Sequence, residues 1–380
     1  MTEERTFTFG ELVNKRTEVW MPGSEDLPYV GLEHIEPHAL RLSGYGNSKE
    51  TASSKTRFKS GDVLYGKLRP YFRKCVRPDF DGVCTGEIWA LYTKNSEVLD
   101  QSYLRWLVSD IAFSDYANSA ETGTHMPRAQ WSWVSKLEVN LPTLEAQREL
   151  SSVLNLLEAR IENLQALLEL IAKFIESACE VAITQSKSIK QIPLSTAAKL
   201  VNGGAFTKGA TGIGKVVIRI KELNSGISDS TIYNSIEVPP QKTAYPGDVL
   251  FAWSGTLGLW RWYKEEALIN QHIFKVMEGK HPVWLNWFHI LQELENFQDI
   301  AAGKATTMGH ITKDHLDRAM VLDFLPDEIV ELSSLVSPIW EYQLKVGKEI
   351  NSLIDFREFL IPRLVSGEMN LLKLPLGSSS

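Results

Sequence analysis

Gly209, Gly214 and Lys215 satisfy G-x-x-x-x-G-K, the spacing of a loop that wraps phosphate in backbone N–H groups and reaches it with a lysine. Such a loop needs a Ser or Thr after the lysine and a helix N-terminus facing the anion. Here Val216 follows, and the run V-V-I-R-I predicts a strand, which argues against that chemistry. Asp248, Glu278 and Lys280 have the types of a metal-dependent nuclease centre, but the first half of the chain has no counterpart. His34 and His38 stand four apart with Pro37 between them, and His310 and His315 stand five apart, so loop histidines are expected rather than a metal pair. Asp62 and Asp248 each follow a glycine and open an apolar run, the pattern of a turn entering a buried strand. With no glycine-rich cofactor fingerprint and no Asn-Pro-Pro or Asp-Pro-Pro tetrapeptide of an amino-methyltransferase, the chain is expected to hold no catalytic machinery.

The other chemistry on offer is binding. Residues 49–77 carry Lys49, Lys55, Arg57, Lys59, Lys67, Arg69, Arg73, Lys74 and Arg77 against only Glu50 and Asp62, interleaved with Tyr65, Tyr71 and Phe72. Basic and aromatic side chains so mixed suit a phosphate-contacting face, with a plain solvated surface as the alternative. The net charge of −7 does not contradict this, because the acid excess lies on residues 143–185 and 326–380 while the stretches between balance.

The elements that must position these residues come twice. F-K-S-G-D-V-L-Y from Phe58 is answered by A-Y-P-G-D-V-L-F from Ala244, with Gly61 and Gly247 offset by 186 residues. G-T-H-M-P-R-A from Gly123 is answered by A-T-T-M-G-H-I from Ala305, with Met126 and Met308 offset by 182. Near-constant offsets over such a distance indicate a tandem duplication, and hence two similar working surfaces.

After each copy comes a long helix. Leu150, Leu154, Leu157, Ile161, Leu164, Leu168, Ile171, Ile175 and Ala178 alternate steps of four and three, a coiled-coil seam, behind Thr143 as N-cap. Ile329, Leu332, Val336, Ile339, Gln343, Val346, Ile350 and Leu353 repeat the rhythm behind Pro326, Asp327 and Glu328, with Gln343 the one polar position. About 40 residues give roughly 60 Å of helix, which needs a partner along its length. The economical arrangement is an antiparallel pair with a globular unit at each end and an approximate twofold axis. The stretches between read as strand and turn, with strands at residues 63–65, 88–92, 216–220, 232–238 and 249–251 and short helices near residues 103–116 and 284–300. The expected fold class is α+β, with mixed α/β domains at residues 1–142 and 187–325 and helices at 143–186 and 326–372.

Composition agrees with an ordinary globular protein: 380 residues, 43% hydrophobic, enough for separate cores. M-T-E-E-R-T-F carries acid where a secretory leader needs base followed by an apolar run, and no stretch of about 18 uncharged apolar residues occurs. A cytoplasmic location without membrane contact is expected. Cys75, Cys84 and Cys179 are odd in number and without metal-ligand spacing, so they are expected to be reduced, buried thiols.

The duplicated G-D-V-L, the duplicated T-x-M segment followed by a proline-led helix, and the closing R-E-F-L-I-P-R-L-V-S-G-E (residues 357–368) resemble the specificity subunit of type I restriction-modification enzymes over nearly the whole chain. The resemblance implies two target recognition domains on an antiparallel helical spacer, each reading half of a split site in double-stranded DNA. It also implies two methyltransferase subunits and motor-nuclease (restriction) subunits as partners, with S-adenosylmethionine, ATP and Mg²⁺ acting there and no cofactor in this chain. Met126 is followed by Pro127 and Arg128 where the family more often shows a His-Ile-Thr type sequence, which puts the role of His125 in doubt.

Bases are read by Arg or Lys on guanine and by Asn or Gln on adenine, while other basic and hydroxyl groups hold phosphates. On that logic the DNA-contacting candidates are Lys67, Arg69, Arg73, Thr124, His125 and Arg128 in the first domain. In the second they are Lys208, Trp253, Ser254, Thr256, Trp260, Arg261, Lys304, Thr306, Thr307 and His310. Trp253 and Trp260 are equally open to core packing. A stand-alone nuclease or methyltransferase, and a coiled-coil scaffold that binds only protein, are the competing functions.

Overall fold

The computed structural model describes residues 5–119, 127–228, 230–303, 309–366 and 368. The chain divides into two compact units, residues 1–160 with 354–380 and residues 161–353, so both long helices are shared between units. Each unit is described by itself.

In the first unit, Val63–Gly66 lies inside a four-stranded sheet of order Val13–Lys15, Ile88–Thr93, Val63–Gly66, Cys75–Val76. A second sheet runs Val19–Trp20, Lys55–Phe58, Gly82–Cys84, Pro28–Val30, Gly46–Asn47, with one parallel pair, Pro28–Val30 on Gly82–Cys84. Arg5–Thr8 pairs with Glu138–Leu141 where the chain enters the long helix. The second unit repeats this plan. Its first sheet runs Ala198–Asn202, Ile273–Glu278, Val249–Ala252, Gly258–Arg261, and its second runs Tyr233–Asn234, Lys215–Ile218, Ala267–Ile269, Thr243–Ala244 with Lys215–Ile218 parallel to Ala267–Ile269. Gln191–Pro193 pairs with Met320–Leu322 before the second long helix. The duplication is therefore one of sheet order and strand direction as well as of motif.

The G-D-V-L turn explains its own residues. Gly61 (φ +82°) and Gly247 (φ +104°) occupy left-handed backbone that other residues avoid. The Asp62 carboxylate accepts from Lys59 N at 2.8 Å, and the Asp248 carboxylate accepts from Tyr245 N at 2.7 Å, each closing the turn into an apolar strand. Arg16 then neutralises Asp62 at 2.9 Å and Lys275 neutralises Asp248 at 2.6 Å. Both aspartates are structural.

The long helices span Leu144–Gln185 and Pro326–Val365. Thr143 caps the first through Ala146 N, as its position predicts. Six of the nine predicted seam positions, Leu150, Leu154, Ile161, Leu164, Ile171 and Ile175, are at most 6% exposed, while Leu157, Leu168 and Ala178 are half-buried and their neighbours Glu158 and Cys179 are buried. Within the first unit, Leu150 and Leu154 share a core with Leu360, Ile361 and Leu364, each large side chain contributing about 1.5–3 kcal/mol on burial. Within the second unit, Ser186 and Lys187, just past the first helix, donate to Glu328 in the opening turn of the second, and these bonds with that from Leu325 N hold the Glu328 carboxyl below its usual range. The helices are antiparallel in each unit.

Gln343 is not the only polar seam residue. The stripe continues beyond Leu353 to Arg357, which is 1% exposed and donates from Nη1 to Glu158 Oε2 at 2.8 Å. The strand expected over residues 232–238 shrinks to Tyr233–Asn234, because Asn234 turns its amide to Phe206 O and Ile236 is left exposed. All three cysteines are buried and unbridged. Among the described residues no helix is long and apolar enough to cross a membrane.

Candidate nucleic-acid interface

In each unit three separated segments meet, and they do so through the same hydrogen bonds. Lys67 N donates to Glu87 O (2.9 Å), Ala129 N to Lys67 O (2.8 Å) and Arg69 N to Pro127 O (2.8 Å). In the second unit Trp253 N donates to His272 O (3.2 Å), Ile311 N to Trp253 O (3.0 Å) and Gly255 N to Gly309 O (2.9 Å). Leu68 bridges Arg128 as Ser254 bridges His310. The pairings superpose the two sequence repeats residue by residue: Lys67 on Trp253, Arg69 on Gly255, Glu87 on His272, Arg128 on His310. Arg69 adopts φ +53°, the left-handed backbone that Gly255 takes at +70°, a strained conformation for a side-chain-bearing residue and one that clusters at functional sites.

Several predicted residues are thus brought together. Lys67, Arg69 and Arg128 stand on one junction, and Trp253, Ser254, Thr256 and His310 on or beside the other. Thr124, His125, Lys304, Thr306 and Thr307 lie outside the described residues. Lys208 is exposed in the loop after Ala198–Asn202. Trp253 is half-buried, its Nε1 donating to Asn202 Oδ1 at 3.0 Å and its ring 5.5 Å from that of His272. A cavity of 310 Å³ lined by Gly255, Thr256, Leu257, Gln298 and Gly309 among others opens beside it.

Other predicted residues point elsewhere. Arg73 is buried, giving Nε and Nη2 to Ser109 O (3.1 and 2.6 Å) and Nη1 to Glu358 (2.5 Å) of the second long helix. Arg261 donates from Nη1 to Trp340 O and to Gln343 Oε1 at 2.8 Å and lies 3.8 Å over the Trp340 ring, which explains the polar seam position. Burial brings its guanidinium down to about 10. Trp260 folds over Gly258 and packs on the second unit's core. The two arginines hold domain and helix together, and Trp260 takes the core-packing alternative; a basic or aromatic residue after a strand is indistinguishable in sequence from one reaching the surface.

The nine-base patch is also thinner than its composition suggests. Lys49 pairs with Asp26, Arg57 with Glu25 and Glu18, Lys55 is buried against Ser53, Lys74 donates to Leu32 O and Arg77 to Gly61 O. Among the described residues, Lys59, Lys67 and Arg69 are the bases of this stretch whose side chains have no such partner. The histidine, P-loop and nuclease-like candidates disperse likewise. His34 Nδ1 accepts from Gly31 N, Lys215 pairs with Glu266 and is followed by the strand Lys215–Ile218, and Asp248 and Lys280 pair with Lys275 and Asp323 respectively.

Sequence reasoning missed the third segment of each junction. Thr85, Gly86 and Glu87 precede Ile88, and Asn270, Gln271 and His272 precede Ile273; these isoleucines pair with Gly66 and Ala252, the last residues of the two repeated strands. The signal lay only in that shared strand register, since T-G-E and N-Q-H have no letter in common. Among the described residues, Asn270 Oδ1 and His272 Nδ1 are buried without a hydrogen-bond partner, and Glu87 Oε2 is buried with Arg128 Nε at 3.0 Å as an ion-pair contact rather than an aligned hydrogen bond.

No family model matches the chain. It is 31% identical over 152 residues to the specificity subunit of type I restriction enzyme EcoDI from Escherichia coli, a match covering 40% of this chain and 32% of that protein. The match thus spans about a third of the relative's length. The fold is that of the S subunit of a type I restriction-modification system from M. genitalium, with a TM-score of 0.55 and 13% identity over 96% of each chain. The HsdS subunit from Thermoanaerobacter tengcongensis aligns over 96% of this chain and 97% of its own at 18% identity and a TM-score of 0.42. The resemblance to specificity subunits carried by the duplicated motifs stands beside an independent sequence match and a shared fold.

Proposed function

We propose that this chain is the DNA-recognition subunit of a type I restriction-modification enzyme, each unit reading one half of a bipartite duplex site. The observation that carries the reading is the repeated junction: two copies of one backbone scaffold presenting different side chains, Lys, Glu and Arg in one and Trp, His and His in the other. A repeated scaffold suits a repeated ligand such as a nucleic-acid duplex, and divergent side chains suit two different base sequences. In this reading the chain is non-catalytic. Methyltransferase and restriction subunits bind its helices and supply the chemistry that uses S-adenosylmethionine, ATP and Mg²⁺.

The test exchanges one reader. Residues 187–325 are replaced by the matching stretch of a relative, the chain is assembled with its methyltransferase partner, and DNA retained from a randomised duplex pool is sequenced. One half-site of the recovered consensus changes and the other stays. A change in both, or no consensus from either protein, refutes the reading.

A further inference from the structure

We propose that Arg128 reads a guanine in the half-site of the first unit and that Glu87 is the positioning residue that aims it. The inference rests on the recognition role proposed above and assigns a task to a residue that the motifs do not mark.

Glu87 and Arg128 flank Lys67 on the two segments that bracket it, joined to it by the bonds Lys67 N to Glu87 O and Ala129 N to Lys67 O. The side chains meet beside Lys67, Arg128 Nε lying 3.0 Å from Glu87 Oε2. The two are unequal in exposure: the Arg128 side chain is 53% exposed and that of Glu87 31%, with Oε2 itself buried. The carboxylate is therefore the anchored member and the guanidinium the presented one.

Charge then decides what the guanidinium suits. An arginine beside a carboxylate is a pair of zero net charge, a poor ligand for phosphate, since binding a phosphate places two anions on one cation. Its geometry suits a neutral base edge better. With Nε held by the carboxylate, the two terminal nitrogens still offer parallel donors, and guanine O6 and N7 form the acceptor pair that arginine matches. Lys67 and Arg69 stand on the same junction with no carboxylate partner among the described residues, and the phosphate role falls to them. In the second unit the equivalent positions hold His272 and His310, so the second half-site is read by different groups on the same backbone.

The experiment uses the full chain with its methyltransferase partner and a pool of randomised double-stranded DNA, for the wild type and for Arg128→Lys, Arg128→Ala, Glu87→Ala and Glu87→Gln. Arg128→Lys is expected to lower the preference for one G·C pair in one half-site by between roughly 5-fold and 150-fold, the discrimination a bidentate contact gives. The other half-site and the salt dependence of binding stay as in the wild type. Glu87→Ala relaxes the same position, and Glu87→Gln, which keeps an oxygen beside Arg128 Nε, retains more of the preference than Glu87→Ala. The proposal is overturned if Arg128→Lys keeps the wild-type consensus, if Arg128→Ala reduces the salt slope by about one unit as a lost phosphate contact does, or if Glu87→Ala leaves the guanine preference intact. Loss of a whole half-site together with a lowered melting temperature overturns it in favour of a packing role. Failure of the wild-type complex to enrich any sequence instead refutes the recognition role itself.

Discussion

Replacing Arg357 by methionine should destabilise the first unit by about 3–5 kcal/mol, because it leaves a carboxylate buried without its counter-charge. Glu158 is 2% exposed, and among the described residues its Oε1 has no hydrogen-bond partner even in the intact protein, so no second donor on that oxygen offsets the lost guanidinium. The same change removes the donor to His38 O at 3.1 Å, a carbonyl on a residue held at φ +60°, which adds about 1 kcal/mol. For a unit of this size, 3–5 kcal/mol corresponds to a fall in Tm of roughly 6–20 °C. Changing Glu158 to leucine as well removes the stranded charge, and the double variant should return to within about 1–2 kcal/mol of the wild type, the residual being the lost donor from Arg357 to His38 O. Because the two units need not melt together, the measurement is hydrogen exchange resolved by peptide. Peptides covering residues 144–160 and 354–366 lose protection in Arg357→Met and regain most of it in the double variant, while peptides around 244–262 report the second unit as an internal control. If Arg357→Met costs less than about 1 kcal/mol, or if the double variant is no better than the single, the buried pair does not carry the weight given to it.

Three further outcomes follow from named contacts. His289 is buried beside His281, and burial holds its ring down to about 3, with His281 lowered in the same direction. The unfolded chain therefore takes up protons first, and stability present above about pH 6.5 falls as pH drops toward 3, by about 2 kcal/mol at pH 5 for one histidine; melting temperatures of wild type and His289→Gln at pH 7.5 and 5 should differ in slope by that amount. Gly347→Ala places a Cβ 2.4 Å from the Tyr263 ring, so overpacking of about 1–3 kcal/mol outweighs the roughly 1 kcal/mol gained in helix propensity, and Tyr263→Leu in the same chain restores the melting temperature. Lys67→Ala should weaken DNA binding by the full complex and reduce its salt slope by about one unit, whereas Arg73→Ala lowers stability, because its donors are spent on Ser109 O and Glu358.

The helices were legible because burial along a seam leaves a periodic record. Leu150 through Ile175 and Leu332 through Ile350 need only be apolar at the right steps, and the spacing survives whatever packs against them. The G-D-V-L strands were legible for the same reason, a positive-φ glycine and a turn aspartate before an apolar run. Arg357 and Glu158 were not, since a charge at a seam position marks an end of the pattern until its partner, 199 residues away, is seen. Short strands such as Gly46–Asn47 and Gly82–Cys84 left no pattern, because two or three residues cannot show a period of two.

At the interface the division is sharper, and it bears on function. Backbone hydrogen bonds repeat one for one across the two junctions although Lys67 and Trp253, or Glu87 and His272, have no chemistry in common. A scaffold whose geometry is carried by main-chain groups places no demand on those side chains, so they are free to differ, and side-chain identity there is the variable through which such a surface can discriminate. The bases that sequence most readily nominated, Arg73 and Arg261, fail on that criterion: their guanidinium groups are committed to Glu358, Trp340 and Gln343 of a helix, where any change is felt as stability. If the chain reads DNA as proposed, the residues to test first are those held on a backbone that repeats while their side chains differ, positions 67, 87 and 128 together with 253, 272 and 310.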